Sequence, residues 1–417
     1  MSPVPCSLFP LHRSLRRASH LMVYVVLGLM AFFTEWEFFG KFTPVDAALG
    51  VAAGLWGLAA ALDWKAFAPS LRGLGRYWPM GLYALWTLVA ACFAKEKGLA
   101  LVKVVQTLEY FVVAVVLLHD FFAADKRRVR RAAWVVLAVF AVFLARAAAQ
   151  YWGDADTFGV RGFFKHRNVF AGLVALLAPA CFGVMCGARR WWAKAGLAAL
   201  VALALVVTLS GAAYVAVLLA VAGLAALRGA RCFAVTCAAV TLWQTVALDT
   251  LAERGWLRGN VTEHVASAAL YEDDGRPTPR YPEWQAAAWL ITDHPATGVG
   301  PGHYQRSIGP YFGVVPRSAR DKDESDVAIQ NQYLVLAADL GLPGLLLFLA
   351  MLATAVRSAA RAAFEPFLAR GLAAGVLAFA AVLVWHPLLV RGVGLVFVAM
   401  LAACHALDAQ GPEQGKE

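Results

Sequence analysis

Four basic side chains, Arg161, Lys165, His166 and Arg167, fall within seven residues, just ahead of an apolar run that begins near Asn168. Asn168 reads as the N-cap of a helix. The free N–H groups and partial positive charge of a helix start then add to the side-chain cations, and the combination suits an anion. A fifth cation, Arg280, opens R-Y-P-E-W-Q-A-A-A-W-L-I-T-D-H-P, just before a stretch that reads as a helix from Pro282 to Asp293, with Pro295 just past its end. Trp284, Ala288 and Ile291 share one face of it, suited to the membrane interface or to a bundle of spans. Gly298, Gly300 and Gly302 then make a tight turn before His303 and Tyr304. No strand precedes these glycines, which argues against a dinucleotide site.

Arg280, the glycine turn and His303 lie in the only long polar stretch of the chain, Leu251 to Asn331, and the rest is organised around it. Of 417 residues 61% are hydrophobic and 15% charged, with a mean hydropathy of +0.63, and the apolar residues come in blocks. That composition predicts an all-α polytopic membrane protein with about 12 transmembrane helices and one large, partly helical extracytoplasmic loop. The expected spans are 21–39, 45–62, 78–94, 99–119, 132–150, 168–186, 191–209, 211–227, 232–249, 333–356, 366–386 and 388–406. The first follows Arg13, Arg16 and Arg17 and is too long for a signal-peptide core, so it reads as retained.

Short loops on one side hold nineteen Lys and Arg, against seven on the other. Positive residues resist translocation, so both termini are expected in the cytoplasm and the long loop outside. The organisation is then 1–249 as spans one to nine with a basic outer loop at 154–167, 250–332 as the exported loop, 333–406 as the last three spans, and 407–417 as a cytoplasmic tail. A loop this long between spans reads as the roof of a site at the membrane face. The net charge of +10 is mostly a topology signal, and nucleic acid is not implied.

Other polar residues have simpler readings. Cys181 and Cys186, like Cys232 and Cys237, sit five apart in apolar helices, where packing is expected rather than metal. Glu35 and Glu37 point to different helix faces and read as a solvated helix end. Lys103 and Arg146 each lie about one turn inside the outer boundary, serving either ion pairing or anion binding, and the deeper Glu109 should find a partner. Ser210-Gly211 reads as a tight outer turn where two helices approach closely.

Three segments, R-G-F-F-K-H-R-N, R-Y-P-E-W through G-V-G-P-G-H-Y, and Q-N-Q-Y-L-V-L-A-A-D-L-G-L-P-G-L, in this order and on one membrane side, resemble the O-antigen ligase and polymerase superfamily of bacterial membrane glycosyltransferases. The resemblance implies an inner-membrane enzyme of lipopolysaccharide and polysaccharide biosynthesis. Such an enzyme moves a glycan from an undecaprenyl diphosphate carrier to an acceptor hydroxyl, of a lipid A core or another glycan, at the outer face. It implies neither nucleotide sugar, metal nor other cofactor. The alternatives are a polymerase of lipid-linked repeat units and a transporter or flippase of lipid-linked sugar. Arg161, Lys165, His166, Arg167 and Arg280 would then hold the diphosphate. The chain departs from the family where Gly211 stands for a usual Arg, and Gln330 for the usual His before Asn331. A glutamine orients a hydroxyl but does not take its proton, so the expected catalytic group is His303, Gln330, Asn331 and Asp326. His303 is the first candidate base, and Glu324, Asp326 and His166 are the others.

Overall fold

The computed structural model describes residues 9–30, 32, 43–125, 127–153, 160–164, 166–208, 210–242, 280–314, 330–390 and 392–409. Among these residues every regular element is helical. In chain order they are α1 (Phe9–Leu29), α2 (Pro44–Leu62), α3 (Trp64–Leu71), a 3-10 turn (Arg72–Tyr77), α4 (Trp78–Phe93), α5 (Lys97–Leu108), a π-helical stretch (Glu109–Ala114) and α6 (Val115–Ala123). Then follow α7 (Arg127–Gly153), α8 (Arg167–Gly187), α9 (Trp191–Val207), α10 (Gly211–Arg228) and α11 (Ala230–Leu242). The long loop contributes α12 (Arg280–Asp293), α13 (Tyr304–Ser307) and a 3-10 turn (Gly309–Val314). α14 (Gln332–Arg361), α15 (Pro366–Val382) and α16 (Val393–Ala409) complete the chain.

Six of the described segments are long and apolar enough to cross a membrane: Pro44–Leu62, Lys97–Ala123, Arg127–Gly153, Arg167–Gly187, Gly211–Arg228 and Gln332–Arg361. α9, α15 and α16 are apolar but shorter. The expected run 21–39 starts inside α1 and passes into residues outside the described ones, as does 232–249 beyond α11.

α8 is the centre of the bundle, with 78% of its apolar window buried. It meets α15 so closely that a Cβ on Gly183 would lie 2.5 Å from Gly371 Cα, and one on Gly375 would lie 2.1 Å from the Leu176 carbonyl oxygen. Such backbone-to-backbone approach is how membrane helices gain dispersion contact where lipid offers no hydrophobic drive. Elsewhere in the bundle, Asp120 on α6 is fully buried. It is paired with Arg16 of α1 and receives hydrogen bonds from His20 (3.0 Å) and Ser70 Oγ (2.8 Å). Arg128 of α7 in turn donates to His20 Nδ1 at 2.7 Å. One carboxylate therefore ties α1, α3, α6 and α7 together at one end.

The feature that positions the candidate site is a break inside α14. Gly341 adopts φ 69°, ψ −179°, a backbone state open essentially to glycine alone, and Pro343 two residues on has no N–H to give to the Asp339 carbonyl. The freed groups find other partners. Val299 N donates to Ala338 O at 2.9 Å, Gly300 N to Asp339 O at 3.0 Å, and Leu342 N to Pro295 O at 2.9 Å. Trp86 Nε1 of α4 donates to Leu340 O at 2.8 Å. The interrupted helix thus becomes a docking strip for the turn that follows α12.

Candidate functional site

α12 and the glycine turn sit on the first turns of α14. Ala286, Ala287, Leu290 and Ile308 are buried against Val335 and Ala338, with Trp284, Ile291, Val299, Tyr304 and Tyr311 packed around them. The helix begins at Arg280 rather than Pro282, and Ala288 is exposed. The expected face is therefore rotated towards Ala287 and Leu290, because the helix docks on α14. The glycines explain how close the turn comes. A Cβ on Gly298 would lie 2.4 Å from the Asp339 carbonyl carbon, and one on Gly300 2.4 Å from Ala94 Cβ.

Asp339 holds the turn from below. Its carboxylate accepts the backbone N–H groups of Gly302, His303 and Tyr304, each at 2.9 Å. These are consecutive donors at the start of α13, a nest that suits a negative group. Sequence reading missed Asp339, which looks like a lone acid in an apolar helix. The available signal was its place in D-L-G-L-P-G, where glycine and proline break the helix and bring it beside a turn.

His303 is 2% exposed, and both ring nitrogens are engaged. Nδ1 donates to the Pro301 carbonyl at 3.1 Å, and Nε2 accepts the Glu96 N–H at 3.1 Å. In this arrangement the imidazole fastens the turn to the junction between α4 and α5. Arg306 and Glu96 form an ion pair across the same junction, whose hydrogen bond lowers the Glu96 pKa from its ordinary value. Lys103 of α5 lays its stem along Gly302, where an added Cβ would come 2.9 Å from Lys103 Cγ. Burial raises the Tyr304 pKa, so its hydroxyl stays protonated.

Gln330 and Asn331 meet this assembly at the start of α14. Gln330 N–H donates to Glu283 Oε2 of α12 at 3.3 Å, while its half-buried side-chain amide has no partner among the described residues. Asn331 caps α14, its Oδ1 accepting from Tyr333 N at 2.9 Å and Leu334 N at 3.1 Å. Gln332 anchors the cap: its N–H donates to Leu383 O at 2.8 Å, and its Oε1 accepts from Leu389 N at 3.0 Å.

The basic loop is built differently. Gln150 of α7, a residue sequence reading did not single out, accepts the N–H groups of Arg161 (3.0 Å) and Gly162 (2.9 Å) at its Oε1, and its Nε2 donates to Gly162 O at 3.1 Å. Val160 and Phe164 are buried, and Gly162, at φ 61°, sits where a Cβ would press on the Phe143 and Phe170 rings at 3.2 and 3.3 Å. Arg161 and His166 are exposed and Arg167 is half-buried. α8 starts at Arg167 with His166 at the N-cap position, so Asn168 lies inside the first turn and is not the cap. Arg146 is exposed on α7, one turn from Gln150.

The two helix starts are linked through the segment between α15 and α16. Leu388 packs where a Cβ on Gly172 of α8 would come within 2.9 Å of it, and Leu389 bonds Gln332. The positive ends of α8 and α14 therefore belong to one end of the bundle. Lys165, Glu324 and Asp326 lie outside the described residues, as does the side chain of Arg280. Among the described residues no group of three or more His, Cys, Asp or Glu could hold a metal ion.

Residues 167–349 match the model of the O-antigen ligase family, a stretch that covers less than half of the chain but contains the basic helix start, the docked turn and the broken helix. The match supports the O-antigen ligase and polymerase superfamily and, with the membrane-length helices, a bacterial membrane protein of polysaccharide biosynthesis. No curated protein matches the chain.

Proposed function

We propose, for a chain whose residues 167–349 match the O-antigen ligase family, a membrane glycosyltransferase of ligase type that moves a glycan from undecaprenyl diphosphate to an acceptor hydroxyl at the outer face of the inner membrane. In the transfer the bond between the anomeric carbon and the diphosphate oxygen breaks, its electron pair leaving with the phosphate. The acceptor oxygen forms the new bond, and its proton passes to a base. Charge grows on the diphosphate, so cations held at a helix start lower the barrier. That is the role proposed for Arg161, Lys165, His166, Arg167 and Arg280.

The observation that carries the reading is Gln330. Its side-chain amide has no partner among the described residues, and it stands at the start of α14 with its backbone tied to Glu283. Its Oε1 is suited to accept the acceptor hydroxyl and aim it, without taking the proton. Asn331 supports it by holding the helix cap, and His303 by holding the turn. Asp326 or Glu324 is proposed as the base. With leaving-group departure dominant, weak base assistance suffices, and the proposal needs no metal. It takes the chain as crossing the membrane about twelve times, with both termini cytoplasmic and 250–332 outside.

The test is transfer by the purified, reconstituted protein supplied with lipid-linked glycan and a lipid A core acceptor. Free undecaprenyl diphosphate together with glycosylated acceptor is the expected result. Movement of the intact lipid-linked sugar across the bilayer without cleavage of the diphosphate bond would overturn the proposal in favour of a transporter.

A further inference from the structure

α10, α14 and α15 enclose a groove of about 550 Å³ whose lining is apolar except for Arg370. It opens sideways to the surroundings of the bundle, because Leu219 and Leu227 are each 68% exposed and Leu377 is 52% exposed. Arg370 lies near the start of α15, half-buried, and among the described residues it makes neither an ion pair nor a hydrogen bond. Its neighbour Arg228 differs, being spent on the Cys186 carbonyl and on the Phe367 ring. A guanidinium beside an apolar surface with no counter-charge in the protein is matched in charge by an anionic headgroup.

We propose that this groove binds one anionic phospholipid, its phosphate on Arg370 and one acyl chain along the helices. The groove follows α15 from Arg370 to Ala381, eleven residues, or about 16 Å at roughly 1.5 Å per residue. That is close to half of a hydrocarbon layer of about 30 Å, the reach of one leaflet's acyl chain. The Arg370 end is also the end where Arg189, Arg190, Arg357 and Arg361 lie, at the ends of α8 and α14. Basic pockets between spans on the side of the membrane rich in positive residues are where anionic headgroups collect. The site lies apart from the glycine turn and the basic loop, so it stands whether or not the chain transfers glycan.

Native mass spectrometry of the purified full chain, titrated with phosphatidylglycerol, phosphatidylcholine or undecaprenyl phosphate, tests the proposal. One phosphatidylglycerol should be retained in preference to phosphatidylcholine. Arg370→Gln should lower that retention about fivefold and Arg370→Lys should keep most of it, as expected for one cation at a headgroup. Gly223→Trp should displace the lipid with Arg370 intact, since a Cβ at Gly223 meets nothing within 4 Å and the indole has the groove to fill. It carries the test if Arg370→Gln does not fold. Equal phosphatidylglycerol retention by wild type, Arg370→Gln and Gly223→Trp overturns the proposal. So does undecaprenyl phosphate competing for the same place, or a Gly223→Trp protein that changes only its oligomeric state.

Discussion

Asp339→Ala should release the glycine turn from the membrane helices while leaving the bundle folded. The carboxylate accepts three backbone N–H groups at 2.9 Å each, from Gly302, His303 and Tyr304. Removing it strands three donors in partly or fully buried positions, at about 1 kcal/mol or more apiece, so the docked turn loses on the order of 3 kcal/mol. The backbone bonds from Val299, Gly300 and Leu342 remain and keep α12 near α14. Local opening should then be roughly a hundredfold more frequent, read directly as amide hydrogen exchange across 302–306 in the reconstituted protein. Asp339→Asn keeps one carbonyl oxygen but turns a donor towards the third N–H, so its acceleration should be about tenfold. Amides within α8 serve as the control and should not change. If 302–306 exchange as slowly in Asp339→Ala as in wild type, the carboxylate does not hold the turn and the account of the broken helix fails.

Arg161→Ala and Arg280→Ala should each lower glycan transfer about a hundredfold at unchanged membrane insertion, as loss of one charge-stabilising donor does; near-normal transfer by both at matched expression would remove the anion site. Gln330→His should raise transfer and make it pH-dependent, because a base works only when neutral: the gain should appear as pH rises through roughly 6.5 and vanish below it, and a flat pH profile would separate position 330 from the acceptor hydroxyl. Asp120→Ala leaves Arg16 without its buried counter-charge and His20 and Ser70 without their acceptor, and should cost about 3–5 kcal/mol, seen as a lower melting temperature of the purified protein; an unchanged melt would mean the network ties nothing together. A reporter fused near Asp274 should be active only outside the cytoplasm, as the nineteen-to-seven distribution of Lys and Arg requires, and activity on the cytoplasmic side would invert the topology.

The sequence by itself determined the class of this protein. Backbone polar groups in lipid must be satisfied within the segment, so long apolar runs are forced into helices whatever they pack against, and they are readable in isolation. The helix at Arg280–Asp293 was legible within two residues from its prolines. The cationic cluster was legible because charge and spacing lie side by side in the chain. Asn331 stands in the candidate site and also caps α14, a role the structure supplies.

What only the tertiary structure decided is which groups are spent and which remain available. Asp339 meets its three donors across more than thirty residues of chain, Gln150 holds the basic loop from another helix, and His303 gives its lone pair to Glu96, over two hundred residues away. A histidine in a glycine turn looks the same on paper whether its ring is open or already bonded. The break at Gly341 is visible as glycine and proline, yet its consequence depends on another segment arriving to take the freed carbonyls. Local pattern fixes where hydrogen-bonding groups are exposed, and docking between distant segments fixes which of them are left for chemistry.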